Sequence, residues 1–210
     1  MNEKLLSKDF QNDLERITGK RIEEICEEDL NKIERMKLNL KNFDGTNKDY
    51  HLHDLSILKN LRSLTLSHFP LTKEELVSLN RLPHLSFLHF DFCEFKGEEL
   101  FLDSSVAHVI FDGCHMLSMN MLHSVSAEHI QVIGSEREKR GIDILDMGCL
   151  ENLKELSLNN FTINNMNEIL KVAPNIKSLN LDGSLVKDIS KLDLPGVEVS
   201  SKARYIEANA

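Results

Sequence analysis

One spacing of apolar residues returns along most of this 210-residue chain. Leu58, Leu61, Leu64 and Leu66 form its clearest copy. The same intervals recur in Leu82, Leu85, Leu88 and Phe90, in Leu150, Leu153, Leu156 and Leu158, and in Ala173, Ile176, Leu179 and Leu181. Weaker copies fill the gap at Val106, Val109, Phe111 and at Ala127, Ile130, Val132, and Leu194, Val197, Val199 make a final one. Strand residues alternate between faces, so the last two members of each copy point inward and the residue between them points out. One unit cannot bury its apolar face alone. Each must cover its neighbour, which predicts a stack of similar turns with caps at the open ends.

Anchoring each unit at the first residue of its final pair gives positions 64, 88, 109, 130, 156, 179 and 197, with steps of 24, 21, 21, 26, 23 and 18. Most steps lie within the roughly 20–29 residues of leucine-rich repeats. The expected fold is therefore an α/β leucine-rich-repeat solenoid: a right-handed curved stack with a parallel β-sheet on the concave face, partly helical convex returns and a helical N-terminal cap. Residues 1–35 read as the cap, 36–199 as an array of about eight units and 200–210 as a C-terminal tail. Five residues beyond each anchor stand Phe69, Cys93, Cys114, Ser135, Phe161 and Ser184, the column such repeats usually give to Asn or Cys. Cys93 and Cys114 should lie on adjacent rungs about 4.8 Å apart, bonding loop carbonyls or simply packing.

Helix signals punctuate the returns. Thr72 with Glu75 reads as a capping box before Leu76 and Leu79, and Pro83 ends that turn. Asn164 or Asn165 can start a helix through Met166, Ile169 and Leu170 that stops before Pro174. Residues 136–149, long and charged, read as a protruding loop. Near the N-terminus, Leu5, Leu6, Phe10, Leu14 and Ile17 recur at helical spacing, with Thr18-Gly19 as the stop.

Gly19-Lys20, then Ile25, Asp29-Leu30, Ile33, Met36 and Leu38, followed by Asp54-Leu55 and Leu58-Lys59-Asn60-Leu61, resemble the cap and first repeats of bacterial internalin-like leucine-rich-repeat proteins. The resemblance covers roughly residues 10–199, strongly at its two ends and faintly from 100 to 147. It implies a recognition module that binds a protein with its concave sheet, and it names no partner. Internalins are exported and often surface-anchored, whereas this sequence shows neither a signal peptide nor a sorting tail. Anchoring the first repeat at Met36 matches the cap. Anchoring it at Leu38 would put Phe43 in the Phe/Cys/Ser column, and Met36 is preferred.

Composition narrows the function. With 34 acidic and 25 basic residues the formal charge is −9, so a phosphate backbone would meet mostly repulsion and nucleic acid is not an expected partner. No apolar run reaches the roughly 18 residues of a membrane span, and the Met1-Asn2-Glu3-Lys4 start lacks a signal-peptide pattern. A cytoplasmic location is expected, or a secreted one if Met1 is not the natural start. Cys26, Cys93, Cys114 and Cys149 form no CxxC pair and read as reduced thiols. No phosphate-binding, dinucleotide, nucleophile-elbow or zinc-protease motif is present, so neither an enzyme nor a cofactor is expected.

The outward residues of each strand can be written down from the alternation: Ser63, Thr65, Ser67; Phe87, His89, Asp91; His108, Ile110, Asp112; His129, Gln131, Ile133; Glu155, Ser157, Asn159; Ser178, Asn180, Asp182. The middle three strands stand apart. Phe87, His89, Asp91, His108, Ile110, Asp112, His129 and Ile133 mix apolar and titratable groups on one patch, the composition of a protein-binding surface. The bland reading is a sheet face that tolerates β-formers with solvated histidines. A metal site of His89, Asp91, His108 and His129 is the sharp alternative. Geometry opposes it, because His89 and Asp91 are about 6.6 Å apart along one strand and His108 is displaced diagonally. The same histidines near Asp91 and Asp112 would make binding pH-sensitive between about pH 5 and 8. Asn160-Phe161-Thr162 matches a glycosylation acceptor only formally, since Phe161 should point inward. The leading expectation is a monomeric, non-catalytic module for a protein partner, with a small-molecule or metal site, or self-association, as rivals.

Overall fold

The computed structural model describes residues 6–42, 44–96, 102, 105–115, 119–137, 139–187, 192–200 and 202–206. The chain opens with α1 (Lys8–Thr18) and α2 (Glu27–Asn31), then enters β1 (Arg35–Asn39). A 3-10 turn at Leu52–Ile57 precedes β2 (Ser63–Ser67), β3 (Pro70–Leu71) and α3 (Lys73–Leu79). There follow β4 (Phe87–Asp91), β5 (Glu94–Phe95), β6 (His108–Asp112), β7 (His129–Ile133), β8 (Gly141–Asp143), β9 (Glu155–Asn159) and β10 (Thr162–Asn164). The last elements are α4 (Ile169–Val172), β11 (Ser178–Asn180), β12 (Leu185–Lys187), β13 (Glu198–Ser200) and β14 (Arg204–Ile206).

Eight strands pair in the order β1-β2-β4-β6-β7-β9-β11-β13, each parallel to the next. Their register sets Met36, Leu64, Leu88, Val109, Ile130, Leu156 and Leu179 opposite one another, and all seven are buried. This is the single inward row of a leucine-rich-repeat solenoid, and the first unit is anchored at Met36. Phe43, which the other anchor would have used, lies outside the described residues. Where leucines give way in the middle turns, aromatic rings fill the space. Phe90 stacks on Phe111 at 5.4 Å, and Phe95 meets both edge-on, at 5.1 and 5.8 Å.

The column five residues past the anchor forms a ladder across rungs. Cys93 Sγ donates to the Leu66 carbonyl at 3.2 Å, Cys114 Sγ to Phe90 at 3.3 Å and Ser184 Oγ to Leu158 at 2.7 Å. Short thiols and a hydroxyl thus satisfy carbonyls that would otherwise be buried unpaired. Its hydrogen bond with Cys93, together with burial, pushes the Cys114 thiol far above its ordinary range, so it stays protonated. Ser135 departs from the column and is exposed.

The caps form for local reasons. Gly19 takes φ 68° and its N–H bonds the Glu15 carbonyl, a left-handed helix stop that a glycine adopts without a Cβ clash. Phe10 and Leu14 are buried, whereas Ile17 is 40% exposed and only flanks the apolar stripe; Leu5 lies outside the described residues. Lys20 Nζ grips Asp29 at 2.7 Å, and Asp29 also accepts the Cys26 N–H. These bonds hold the Asp29 carboxyl well below the usual range and tie together the Gly-Lys and Asp-Leu pairs read from the sequence. Thr72 and Glu75 close their capping box in both directions. The second return helix begins with a 3-10 turn, Met166–Glu168, and Leu170 is 40% exposed. Asn165 does not cap it; its amide instead donates to Asp143 at 2.7 Å.

Three expectations are corrected. Val199, not Val197, stands opposite Leu179, so the last step is 20 residues rather than 18. Val197 belongs to the preceding turn, its N–H on the Leu194 carbonyl just as Leu61 bonds Leu58. Residues 136–149 are not one protruding loop: β8 joins β14-β12-β10-β8, a second parallel sheet, and Ile142, Ile144 and Met147 are buried. Within the stretch read as a tail, Arg204–Ile206 pairs with Leu185–Lys187 as the edge of that sheet. In each case backbone groups found partners that only a neighbouring turn could supply.

Candidate functional site

The strand register turns the alternation of single strands into rows across the concave face. Phe87, His108 and His129 face one another across β4, β6 and β7, and Glu155 continues their row on β9. His89 and Ile110 lie in the second row, continued by Gln131 and Ser157. Asp91, Asp112 and Ile133 form the third. All eight residues singled out from the sequence therefore share one patch of three adjacent strands. Seven are partly covered and His108 is exposed.

The first row is an organised stack. The His108 and His129 rings lie 4.1 Å apart at 9°, and Phe87 tilts against His108 at 6.4 Å. His129 Nδ1 meets Glu155 Oε2 at 2.9 Å, which fixes that imidazole's orientation. Desolvation in the stack, and then the neighbouring His129, lower the His108 pKa; Glu155 and Glu128 oppose this. The histidine stack is thus linked to Glu155 rather than to Asp91 or Asp112. In the third row Asp91 Oδ2 accepts the Ser67 hydroxyl at 2.8 Å. His89 Nε2 is covered and has no hydrogen-bond partner. Around Phe87, His108, Ile110 and His129 the face dips into a shallow depression of about 230 Å³. Among the described residues no three metal-ligating side chains converge.

Two features of this region were not read from the sequence. The residue four past the anchor takes a left-handed backbone in five turns, at His68 (φ 63°), Phe92 (48°), Gly113 (58°), Asn160 (67°) and Gly183 (73°), but not at Leu40 or Gly134. The first four of these N–H groups bond a carbonyl of the next turn, as Phe92 does to Asp112 at 2.8 Å, and Leu40 and Gly134 make the equivalent bonds to Ser67 and Asn159 without a positive φ. For an aromatic residue the left-handed conformation is strained. Phe92 is also 57% exposed and stacks on His68 at 5.7 Å. A Cβ at Gly113 would stand 2.7 Å from its ring, so the glycine makes room for it. The positive φ itself gives no sequence signal where the residue is His or Phe. The second feature is a hollow of about 620 Å³ at this strand-end edge, bounded by Phe92, Phe95, Phe111, Ile142 and Phe161. Ser135, exposed where Phe69 and Phe161 are buried, lines that hollow.

No family model matches the chain, and no curated protein matches it. Among solved structures it is similar to an internalin, InlF, from Listeria monocytogenes, at 12% sequence identity and a TM-score of 0.43, over 97% of this chain and 77% of that one. No described helix is long and apolar enough to cross a membrane.

Proposed function

We propose that the chain is a non-enzymatic interaction module that binds a protein partner through Phe87, His89, Asp91, His108, Ile110, Asp112, His129 and Ile133. One observation carries this reading: the register lays an aromatic and imidazole row, an aliphatic group and carboxylates side by side on a rigid sheet. Aromatic anchors held in place lose little entropy on binding and gain most when water is excluded. The shallowness of the depression also favours a macromolecule over a small substrate, because small-molecule sites usually enclose their ligand. The net charge of −9 favours a protein over nucleic acid.

The test is affinity capture with the intact chain and with a Phe87→Ala, His108→Ala double variant whose unfolding midpoint matches the original. Partners retained by the intact chain should be lost by the variant. Equal recovery by both would remove this patch as the binding face. Light scattering after size exclusion checks the accompanying expectation of a monomer.

A further inference from the structure

Charge on the concave face is divided by sign. At β1 it is positive, from Arg35 and Lys37. Within strands β2 to β13 the outward positions hold no lysine or arginine and carry Asp91, Asp112, Glu155 and Glu198, while Asp182 and Lys202 follow in the same place beyond the ends of β11 and β13. These carboxylates lie on the two outer rows, about 13 Å apart across a strand. Between them runs an uncharged or weakly basic row of His89, Ile110, Gln131 and Ser157. Asp91 is held by Ser67, Glu155 by His129, and Asp182 by the Lys202 N–H at 2.9 Å. Such bonds fix the carboxylates without removing their charge from Asp91 or Asp182, whose donors are neutral. Asp112 has no side-chain partner among the described residues. Arg62, Lys154 and Lys177 precede the strands by one residue, Lys154 engaged by Glu128 at 2.7 Å, while Arg140 borders the same hollow as Asp112 and Lys139 Nζ donates to the Gly183 carbonyl beside Asp182.

A partner that covered Asp91, Asp112 and Glu155 with apolar or acidic groups would strip water from negative charge without replacing it, which is strongly unfavourable. We infer that the occupant of this face is a polypeptide segment carrying lysine or arginine side chains, which meet Asp91, Asp112 and Glu155, and one apolar side chain, which seats in the depression of Phe87, His108, Ile110 and His129. The inference rests on the protein-binding reading above and adds the chemistry of the partner. The Phe87 face, open beside the carboxylates, suits a cation as well. Arg35 and Lys37 at β1 set polarity, so the cationic part of the segment lies toward β9 and away from β1.

The test uses the full chain and fluorescein-labelled peptides identical except at positions held by lysine, glutamate or serine, with anisotropy as the readout. The lysine peptide should bind at least about tenfold tighter than the serine peptide, as two close ion pairs of ordinary strength would give. An Asp112→Asn, Glu155→Gln variant should lose that advantage and leave the serine peptide unchanged. A Glu27→Gln, Glu28→Gln variant removes the same net charge from the cap and should shift the lysine peptide less than about twofold. An equal loss from the cap variant would reduce the effect to bulk charge and overturn the inference. So would failure of the lysine peptide to bind. If the serine or glutamate peptide bound as tightly and Phe87→Ala released it, the cationic partner would be refuted while the concave face stood. Lysine binding that survived Phe87→Ala, His108→Ala would sink both.

Discussion

The cap is fastened to the repeats at a buried carboxylate, and this predicts a large and specific loss of stability. Asp54, 2% exposed in the Leu52–Ile57 turn, accepts the Ser7 N–H at 2.9 Å and the Ser7 hydroxyl at 2.5 Å from the start of α1. Ser7 is itself 5% exposed. Hydrogen bonds to a charged group are worth about 1.5–3 kcal/mol each, and a buried donor left alone adds a desolvation cost. Asp54→Ala should therefore cost about 3–5 kcal/mol, a large part of the roughly 5–15 kcal/mol by which a domain is stable. Ser7→Ala removes the hydroxyl bond to Asp54 and the one the hydroxyl accepts from the His51 N–H at 3.3 Å, and should cost about 2–4 kcal/mol. In the Asp54→Ala background that second change should cost only the His51 bond, about 0.5–1.5 kcal/mol, a coupling of about 1.5–3 kcal/mol. The chain has no tryptophan, so urea unfolding followed by far-UV circular dichroism is the suitable assay. A loss below about 1 kcal/mol for Asp54→Ala, or the same Ser7→Ala cost in both backgrounds, would refute the reasoning.

Other outcomes follow from single contacts. Phe92→Asn should leave stability unchanged or raise it by about 0.5–1 kcal/mol, since Asn tolerates the left-handed backbone and the exposed ring buries little; a loss above about 1 kcal/mol in urea unfolding would count against strain there. Ser184→Ala should cost about 2–3 kcal/mol by stranding the Leu158 carbonyl and the Phe161 N–H, which the hydroxyl joins at 2.7 and 3.0 Å; Cys114→Ser, which keeps a donor, should cost less, and the reverse order would contradict the ladder. Because the folded chain holds His108 below its ordinary pKa near 6.5, the folded state binds fewer protons, so this contribution to stability is complete above about pH 6.5 and declines as pH falls through the folded value. Thermal unfolding from pH 7.5 downward should show a smaller decline in His108→Gln, and an identical slope would exclude the effect.

The candidate site was legible in part. Alternation alone placed Phe87, His108 and His129 on the outward face, because burying the opposite face of each strand leaves them no other side. It could not show that their rings stack, or that Glu155 anchors His129, since both depend on the rung-to-rung register. Nor could it show the hollow beside Phe92, whose walls come from several turns at Phe95, Phe111, Ile142 and Phe161.

What the sequence determined by itself was the inward row from Leu64 to Leu179, the Thr72–Glu75 capping box and the Gly19 stop. Each follows from spacing within a few residues, where burial of one face or one orphan N–H has a single local solution. Only the tertiary structure decided that Val199 rather than Val197 meets Leu179, that residues 141–143 and 204–206 join a second sheet, and that His68 and Phe92 take the left-handed backbone. Those choices satisfy hydrogen bonds offered by the adjacent turn, and no stretch of chain contains the donors and acceptors of its neighbour.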